Sequence, residues 1–197
     1  MPSRVPLLRP KSGIRLLALL VDYAVILGWM ATLALVTVIL TAITGEMFNW
    51  LELGTAGAQL LGFLLLVLPV GVYLFLGESS SRQATLGKRA LGLRVVDARN
   101  GDRPSRPRIL VRTIVKLLPW EIAHFAVWHT IAIVAEGGSE FPAWLMIVLV
   151  AADVLPLVYV AFVLFQKDRR GPHDLIAGTR VVRGEIFTSG ETGIPVI

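Results

Sequence analysis

The sequence contains no cysteine and few charged residues. The absence of cysteine from the 197 residues excludes disulfide bonds, thiolate metal sites and a cysteine nucleophile. Only 17% of the residues are charged and 55% are hydrophobic, whereas an ordinary soluble domain has about 25% charged and about 45 to 50% apolar residues. The chain therefore has more apolar surface than one soluble core can bury, and the sequence predicts a membrane protein.

Signatures of catalysis are also missing. The sequence has no GxSxG nucleophile elbow, no Walker phosphate loop and no HExxH zinc motif. We therefore expect that the protein is not an enzyme and that it holds no cofactor and no metal. A cleaved signal peptide is not expected, because the first apolar run is longer than the roughly 7 to 15 residues of a signal-peptide core.

Four long apolar runs contain most of the hydrophobic residues. Each run is long enough to form the helix of about 20 residues that crosses the roughly 30 Å hydrocarbon layer. The predicted spans cover about residues 16–43, 53–77, 117–135 and 141–166. The third span contains three ionisable side chains, so a re-entrant or interfacial helix is the alternative there. The predicted fold class is an all-α membrane protein, a four-helix transmembrane bundle in one domain of residues 1–197.

The charged residues divide between the two sides of the predicted membrane. All 19 lysines and arginines lie in residues 1–15, in the inner loop 78–116 or in the inner C-terminal tail 167–197. The connections 46–52 and 136–140 carry only acidic charge. Because basic loops stay in the cytoplasm, we expect a multi-pass protein of the inner (cytoplasmic) membrane with both termini cytoplasmic. The net charge of +5 then indicates contact with anionic lipid headgroups and not with nucleic acid.

The loop between the second and third spans contains signals for extended structure. A β-branched run at residues 93–96 leads to Asn100-Gly101, a pair typical of tight hairpin turns. A small cytoplasmic β-hairpin is therefore predicted in this loop. Residues 179–183, after the last span, form another strand candidate that can pair with the first.

The last part of this loop is basic and amphipathic. Residues 109–118 predict a cytoplasmic amphipathic helix that leads into the third span. In this prediction Arg112 and Lys116 face the lipid headgroups.

Two short segments of the chain resemble each other. Residues 87–96 and 173–182 align without gaps, and identical residues fall at Gly92/Gly178, Arg94/Arg180, Val95/Val181 and Val96/Val182. Each segment follows one outward and one inward span, which indicates a parallel repeat about an axis along the membrane normal. The alternative is a chance similarity between apolar segments.

Three separated motifs resemble the signature of the RDD family of small integral membrane proteins. They are RLLALLVDY, TLGKRALGLRVVDARNG after the second span, and HDLIAGTRVV after the fourth span. The family is named for an arginine and two aspartates, which the resemblance places at Arg15, Asp22 and Asp174. The resemblance implies sodium/proton exchange as an activity of some family members, while many members have no assigned activity. Further motif positions are expected to be structural or gating residues: Gly87, Lys88, Arg94 and His173.

Two aspartates fall inside predicted spans, where a charge at the bilayer centre costs from about 2.5 to more than 10 kcal/mol. Asp22 lies two helical turns from Arg15 on the same face. It is interpreted as a cation or proton ligand, or as the partner of Arg15 or of a basic loop residue. Asp153 lies near the middle of the fourth span and close to Pro156, which frees a backbone carbonyl. It is either a cation or proton ligand or a protonated aspartate bonded across the bundle.

Glu121 and His124 are three residues apart on one face of the third span, and His129 is nearer its outer end. An imidazole between carboxylates suits a proton relay. The alternative is a packing stripe of Trp120, His124 and Trp128. A di-metal site is not expected, because the sequence lacks the second Glu-x-x-His pair that such a site requires.

His173 and Asp174 follow a Gly-Pro turn in the inner tail. Asp174 can cap a short helix at residues 175–177 or pair with an arginine such as Arg15. We expect these two residues to form a gate or latch, because adjacent residues do not make a nucleophile-base pair.

Two functions of different class agree with these residues. The first is a secondary transporter that exchanges a small monovalent cation of the Na⁺ class for protons through Asp22 and Asp153, assisted by Glu121 and His124. The second is a non-transporting scaffold that docks a partner or lipid and uses its buried carboxylates only to hold helices together. Because four spans give little wall for an aqueous pathway, a transporter of this size is expected to be a homo-oligomer.

Overall fold

The computed structural model describes residues 8–184, and four long helices dominate this part of the chain. The four are α1 (Ser12–Thr44), the second helix (Trp50–Ser79), α5 (Arg106–Ala135) and α6 (Ala143–Phe165). The second helix consists of a 3-10 turn (Trp50–Leu53), α2 (Gly54–Gly62), a π-helical turn (Phe63–Val67) and α3 (Leu68–Ser79). All four are long and apolar enough to cross a membrane, which confirms the four predicted helices.

A proline interrupts the second helix just after its π-helical turn. Pro69 has no amide hydrogen, so the carbonyl of Leu65 one turn earlier lacks its helical donor. The indole Nε1 of Trp29, in α1, donates to this carbonyl at 2.9 Å. α1 therefore satisfies the backbone group that the proline leaves without a partner.

α5 begins earlier than predicted and contains a proline in its interior. The lead-in helix predicted at residues 109–118 is helical in the structure, and it continues without a break into the third span as the first turns of α5. Pro119 does not end the helix. It frees the carbonyl of Val115, and the hydroxyl of Tyr159 in α6 donates to that carbonyl at 2.7 Å. A hydrogen bond between two spans thus replaces the missing helical one.

Four short elements lie between and after the long helices. They are α4 (Leu86–Ala90), β1 (Leu93–Asp97), α7 (Pro172–Ile176) and β2 (Thr179–Arg183). β1 and β2 form a two-stranded antiparallel sheet in which Val95 is opposite Val181. The predicted pairing of residues 93–96 with residues 179–183 is therefore confirmed.

The local hairpin predicted in residues 93–103 is wrong. Asn100-Gly101 does form a turn, because the amide of Asp97 donates to the carbonyl of Asp102 at 2.9 Å. The chain after this turn enters α5 instead of a returning strand. β2 is the better partner for β1, because the pairing buries both of its valines together with Val95 and Val96, whereas residues 98–103 are mostly polar.

The two halves of the chain use the same succession of small elements. α4, Gly92 and β1 in the first half correspond to α7, Gly178 and β2 in the second, and both glycines have φ +64°. In the sheet Arg94 is opposite Val182, and Arg180 is opposite Val96. Each arginine is therefore opposite the same valine of the other repeat, and the strand register is symmetric between the two halves. α1 packs against α4 and α5 packs against α7. This arrangement agrees with the repeat predicted from the sequence.

The sheet, α4 and α7 collect at one end of the four-helix bundle. The N-terminal segment joins them there, because the amide of Arg183 donates to the carbonyl of Leu8 at 3.0 Å. We call this region the basic end, since it contains the lysine- and arginine-rich segments at residues 8–15, 78–116 and 167–184. The acidic connections at residues 46–52 and 136–140 lie at the other end of the long helices.

Candidate functional site

Asp174 is fully buried at the basic end and receives hydrogen bonds from several elements. It lies in the first turn of α7. The Nη2 of Arg15 approaches its Oδ2 at 2.9 Å, and the Nη1 of Arg112 donates to its Oδ1. The hydroxyl of Thr179 in β2 also donates to Oδ1, at 3.2 Å. One carboxylate therefore joins α1, α5, α7 and the sheet.

Glu78, at the end of α3, is a second fully buried carboxylate. The Nε of Arg112 lies 2.7 Å from its Oε2, and the Nζ atoms of Lys116 and Lys88 lie 2.8 Å and 3.1 Å from its Oε1. Arg112 thus connects two buried carboxylates, Glu78 and Asp174, with one guanidinium group. A charge that is removed from water needs such partners, because an unpaired buried ion is strongly destabilising.

Asp22, in α1, is buried against the start of α4. Its carboxylate accepts hydrogen bonds from Tyr73 Oη at 2.6 Å, Thr85 Oγ1 at 2.7 Å and the Gly87 amide at 2.9 Å. The Nζ of Lys88 lies farther away, at 3.7 Å. Asp22 therefore holds the N-terminal end of α4 against α1, mainly through neutral donors.

Glycine is required at position 87 by this close approach. A Cβ atom added to Gly87 would lie 2.1 Å from the carbonyl oxygen of Ala18 and 2.9 Å from the carboxylate of Asp22. The first distance is far below any normal contact and involves backbone, and the second is also shorter than real Cβ contacts. The family motif glycine thus has a steric reason in this structure.

These residues form one connected group, which we call the buried ion network. It contains three carboxylates and four basic side chains: Arg15, Asp22, Glu78, Lys88, Arg112, Lys116 and Asp174. The network connects α1, α3, α4, α5 and α7. It lies at the basic end, where the spans would leave the hydrocarbon layer.

The structure decides between the alternatives for several predicted residues. Arg15 pairs with Asp174, which confirms that alternative for Asp174. The basic neighbour of Asp22 is the loop residue Lys88, so the Arg15–Asp22 salt bridge is wrong and the alternative of a basic loop residue is the one that the structure has. The prediction that Arg112 and Lys116 face headgroups is also wrong, because both bind Glu78 inside the bundle. Sequence reasoning missed Glu78. Its position directly after an apolar span was the available signal.

His173 lies near the network, but neither His173 nor Arg94 carries its ion pairs. Burial, together with the nearby Arg112 guanidinium, holds the pKa of the His173 imidazole well below its usual value, so the ring is neutral at pH 7. Its Nε2 lies 3.6 Å from the carboxylate of Asp174. Arg94 is half-buried on β1, and its Nε has no hydrogen-bond acceptor within the described part of the chain.

Glu121 and His124 form a separate polar pair farther along α5. The Nδ1 of His124 lies 3.5 Å from Oε2 of Glu121, and Trp128 donates its indole hydrogen to His124 Nε2 at 2.9 Å. His124 packs on Gly62, where a Cβ atom would come within 2.5 Å of its Nε2. The histidine is thus both near a carboxylate and part of the predicted packing stripe.

Asp153 does not join Asp22. Asp153 is exposed on the face of α6 that is turned away from the other helices. Among residues 8–184, its carboxylate has no hydrogen bond and no ion pair. The predicted hydrogen bond across the bundle is therefore wrong. The rotation of α6 about its axis is set by packing against α5, and this packing turns Asp153 away.

A cavity of about 480 Å³ lies between α1, α3, α5 and α6. Its charged wall, at the basic end, is formed by Arg15, Asp22, Lys88, Arg112 and Lys116. Farther from that end the wall is largely apolar, with Ile26, Val70, Leu74, Trp120, Pro156 and Val160 among its residues. The cavity thus changes from charged to apolar along its length. No cluster of three or more His, Asp or Glu side chains suited to a metal is found among the described residues.

The fold and this network define a small multi-span membrane protein that is closed at one end by buried arginine-carboxylate pairs. The RDD family matches residues 9–178, a region that includes Arg15, Asp22 and Asp174. The chain belongs to the RDD family. No curated protein and no solved structure matches it.

Replacing Asp174 with Asn tests whether the network stabilises the fold. We expect the free energy of unfolding to fall by about 3 kcal/mol, because two guanidinium groups lose their buried counter-ion. Asp168→Asn is the matched control. Its ion pair with Arg9 is exposed, so the expected loss is below about 1 kcal/mol. Chemical unfolding in detergent measures both values, and equal losses would contradict the prediction.

A comparison of the original protein with Asp174→Asn also gives a pH test. Burial by itself raises the pKa of the Asp174 carboxyl, but the Arg112 guanidinium and the other nearby charges outweigh it and hold the pKa below its usual value of 3.8. The ionised carboxylate therefore stabilises the fold at any pH above that value. The stability difference between the original protein and Asp174→Asn should stay constant from neutral pH down to about pH 5 and shrink below pH 3.8. A stability difference that grows as the pH falls would contradict this prediction.

Gly87→Ala tests the contact between α4 and Asp22. The added methyl group has no space beside the Ala18 carbonyl, so α4 must move and we expect a loss of about 1 to 3 kcal/mol. Gly28→Ala is the matched control, because nothing lies within 4 Å of a Cβ atom at Gly28. Thermal unfolding in detergent should show a lower melting temperature for Gly87→Ala only.

Proposed function

We propose that this RDD membrane protein binds an amphiphile with an anionic headgroup in the cavity between its spans. The headgroup would lie at the basic end and the hydrocarbon part would occupy the apolar section. The observation that carries this proposal is the change of the cavity wall from charged to apolar along one continuous space. A volume of about 480 Å³ falls in the range of about 300 to 1,000 Å³ that is typical of ligand pockets.

The sign of the charge in the cavity supports an anionic headgroup. Four basic side chains and one carboxylate, Asp22, line it, while Glu78 and Asp174 are not part of the wall. Side chains of Lys88 and Lys116 keep 12% and 18% of their surface exposed, so a ligand in the cavity can reach them. Because Glu78 and Asp174 pair with these basic side chains from behind the wall, the four basic groups of the network exceed its three carboxylates by one charge, and this small excess favours an anion over a cation.

The arrangement of α1 and α6 supports access from the bilayer. At the basic end the hydroxyl of Ser12 donates to the carbonyl of Val163 at 3.1 Å. Farther along, Leu19 and Val160 line the cavity, and they are 41% and 36% exposed. We propose that an acyl chain enters between these two helices, away from the charged end.

We also propose the orientation that the charge distribution favours. The basic end would face the cytoplasm of the cell, with both termini on that side, and its outer arginines would contact anionic headgroups. The exposed Asp153 supports a further proposal, that the chain is a homo-oligomer. A carboxylate at mid-span is costly in lipid, and a second copy would cover it.

A cavity-filling variant tests the amphiphile proposal. Ala123 lines the cavity, so Ala123→Phe should exclude a ligand, whereas Ala34→Phe places the same side chain on the exposed face of α1. Native mass spectrometry with short-chain phosphatidic acid and phosphatidylcholine measures the binding. We expect the anionic lipid to bind at least about tenfold more tightly, since each basic group near it contributes about 1 kcal/mol. Of the two variants, only Ala123→Phe should lose binding of the anionic lipid. Equal binding of both lipids, or no effect of Ala123→Phe, would contradict the proposal.

Cation/proton exchange is the second candidate function, and one observation favours it. Asp22 lines the cavity, and its hydrogen bonds come from neutral donors. Lys88, its nearest base at 3.7 Å, is closer to Glu78. A proton or a small cation would therefore compete with one loosely held ammonium group for Asp22. Asp153 and the Glu121–His124 pair lie outside this cavity wall.

Ion flux in proteoliposomes distinguishes the two functions. Exchange predicts that Na⁺, Li⁺ or K⁺ gradients move protons, as reported by an internal pH dye. Asp22→Asn should then abolish the flux, and Asp153→Asn, on the outer face of α6, should leave it measurable. If the original protein moves no protons under any of these gradients, the exchanger proposal fails and the amphiphile proposal is unaffected.

A further inference from the structure

A second, smaller cavity of about 120 Å³ lies at the basic end. Arg15 and Val181 line both this cavity and the large one, and Arg15 is the charged side chain that the two spaces share. Five of the residues that line the smaller cavity are arginines, Arg9, Arg15, Arg169, Arg170 and Arg180, and one is an aspartate, Asp168. We call it the arginine pocket. Such a density of one charge in a small space calls for a counter-ion.

The described residues supply acidic partners for only two of these arginines. Arg9 pairs with Asp168 at 2.8 Å, and Arg15 pairs with Asp174. Within residues 8–184 no carboxylate lies within 4.0 Å of the guanidinium groups of Arg169, Arg170 or Arg180. Among the described residues, three positive charges therefore line the pocket without an acidic partner.

Arg180 gives an independent sign of a missing acceptor. Its Nε is buried, yet it has no hydrogen-bond partner in the described part of the chain. A buried donor without an acceptor costs roughly 1 to 3 kcal/mol, and such groups are rare in native structures. By contrast, Arg170 donates its Nε to the carbonyl of Thr179 and its Nη2 to the carbonyl of Asp174, both at 3.0 Å.

The backbone around the pocket is held in place before any ligand binds. Arg169 has φ +52°, a left-handed conformation that is uncommon for residues other than glycine. Arg15 donates to the carbonyl of Arg169, and the side-chain oxygen of Gln166 accepts from the Arg170 amide at 2.7 Å. Such uncommon backbone conformations concentrate at functional sites. The loop thus presents its guanidinium groups from a fixed position.

We infer that the arginine pocket binds a phosphoryl group. The planar guanidinium fork matches the oxygen geometry of phosphate, and a dianion would offset most of the three uncompensated charges. A volume of about 120 Å³ is well below the range of drug-sized ligand pockets. The pocket therefore takes inorganic phosphate or the phosphate of a lipid headgroup, and not a whole nucleotide. This inference does not depend on the amphiphile proposal.

Calorimetry with inorganic phosphate tests the pocket in protein reconstituted into phosphatidylcholine nanodiscs. Arg180→Gln and Arg169→Gln should each weaken binding about tenfold, because each removes a charged hydrogen bond. Two variants are used so that a folding defect in one does not decide the result. Arg99→Gln, an exposed arginine outside the pocket, is the matched control and should leave the affinity unchanged. Ala123→Phe, which fills the other cavity, should also bind phosphate normally.

A second set of nanodiscs that contains phosphatidic acid identifies the source of the phosphate. If a lipid headgroup fills the pocket, phosphatidic acid should compete and lower the apparent affinity for inorganic phosphate. Unchanged affinity would identify free phosphate as the ligand. The inference is overturned if the original protein binds no phosphate in phosphatidylcholine nanodiscs, or if Arg99→Gln weakens binding as much as the pocket variants do.

Discussion

The guanidinium group of Arg112 is the contact on which the rest of the structure depends. It lies between Glu78 and Asp174, and all three side chains are almost completely removed from solvent. Without it, two carboxylates would remain buried with fewer cations around them, a situation that costs several kcal/mol. Arg112 also sets where α3, α5 and α7 meet. The other basic residues of the buried ion network add to an arrangement that Arg112 makes possible.

This fixed end explains how a cavity can exist within so small a bundle. α1 is held near the network by Arg15 and by the contacts of Asp22 with α4. Along its apolar part α1 has less support, and its main packing partner is α4 instead of another span. The polar contacts therefore determine the position of α1 at one end and leave a space between α1 and α6. A membrane provides no hydrophobic force that would close this space, because lipid tails are as apolar as the side chains.

The sequence predicted the features that depend on composition and on local pattern. The four long helices follow from run length, and the β1–β2 pair follows from two β-branched segments that bury their valines together. Partner choice was predicted only in part. The pairing of Asp174 with an arginine such as Arg15 was one of the sequence alternatives, but Arg112 is one of many basic residues in its loop, and nothing in its spacing identifies its two partners. Asp153 shows the same limit. The cost of a charge in lipid argues for an inward position, but the rotation of α6 is decided by packing against α5. Gly87 was singled out by the family motif, and only the approach of Ala18 and Asp22 explains it.

Arg15 connects the two proposed binding sites physically. It lines both cavities, donates to the backbone of Arg169 and holds the carboxylate of Asp174. A phosphate bound in the arginine pocket would stabilise the loop that Arg15 contacts, and any ligand that binds only the folded state stabilises it in proportion to its occupancy. The same phosphate would compete with Asp174 for the charge of Arg15. Occupancy of the small pocket would therefore alter the charge presented to the large cavity, and the two sites would be coupled through the charged side chain that lines both, without a change of fold.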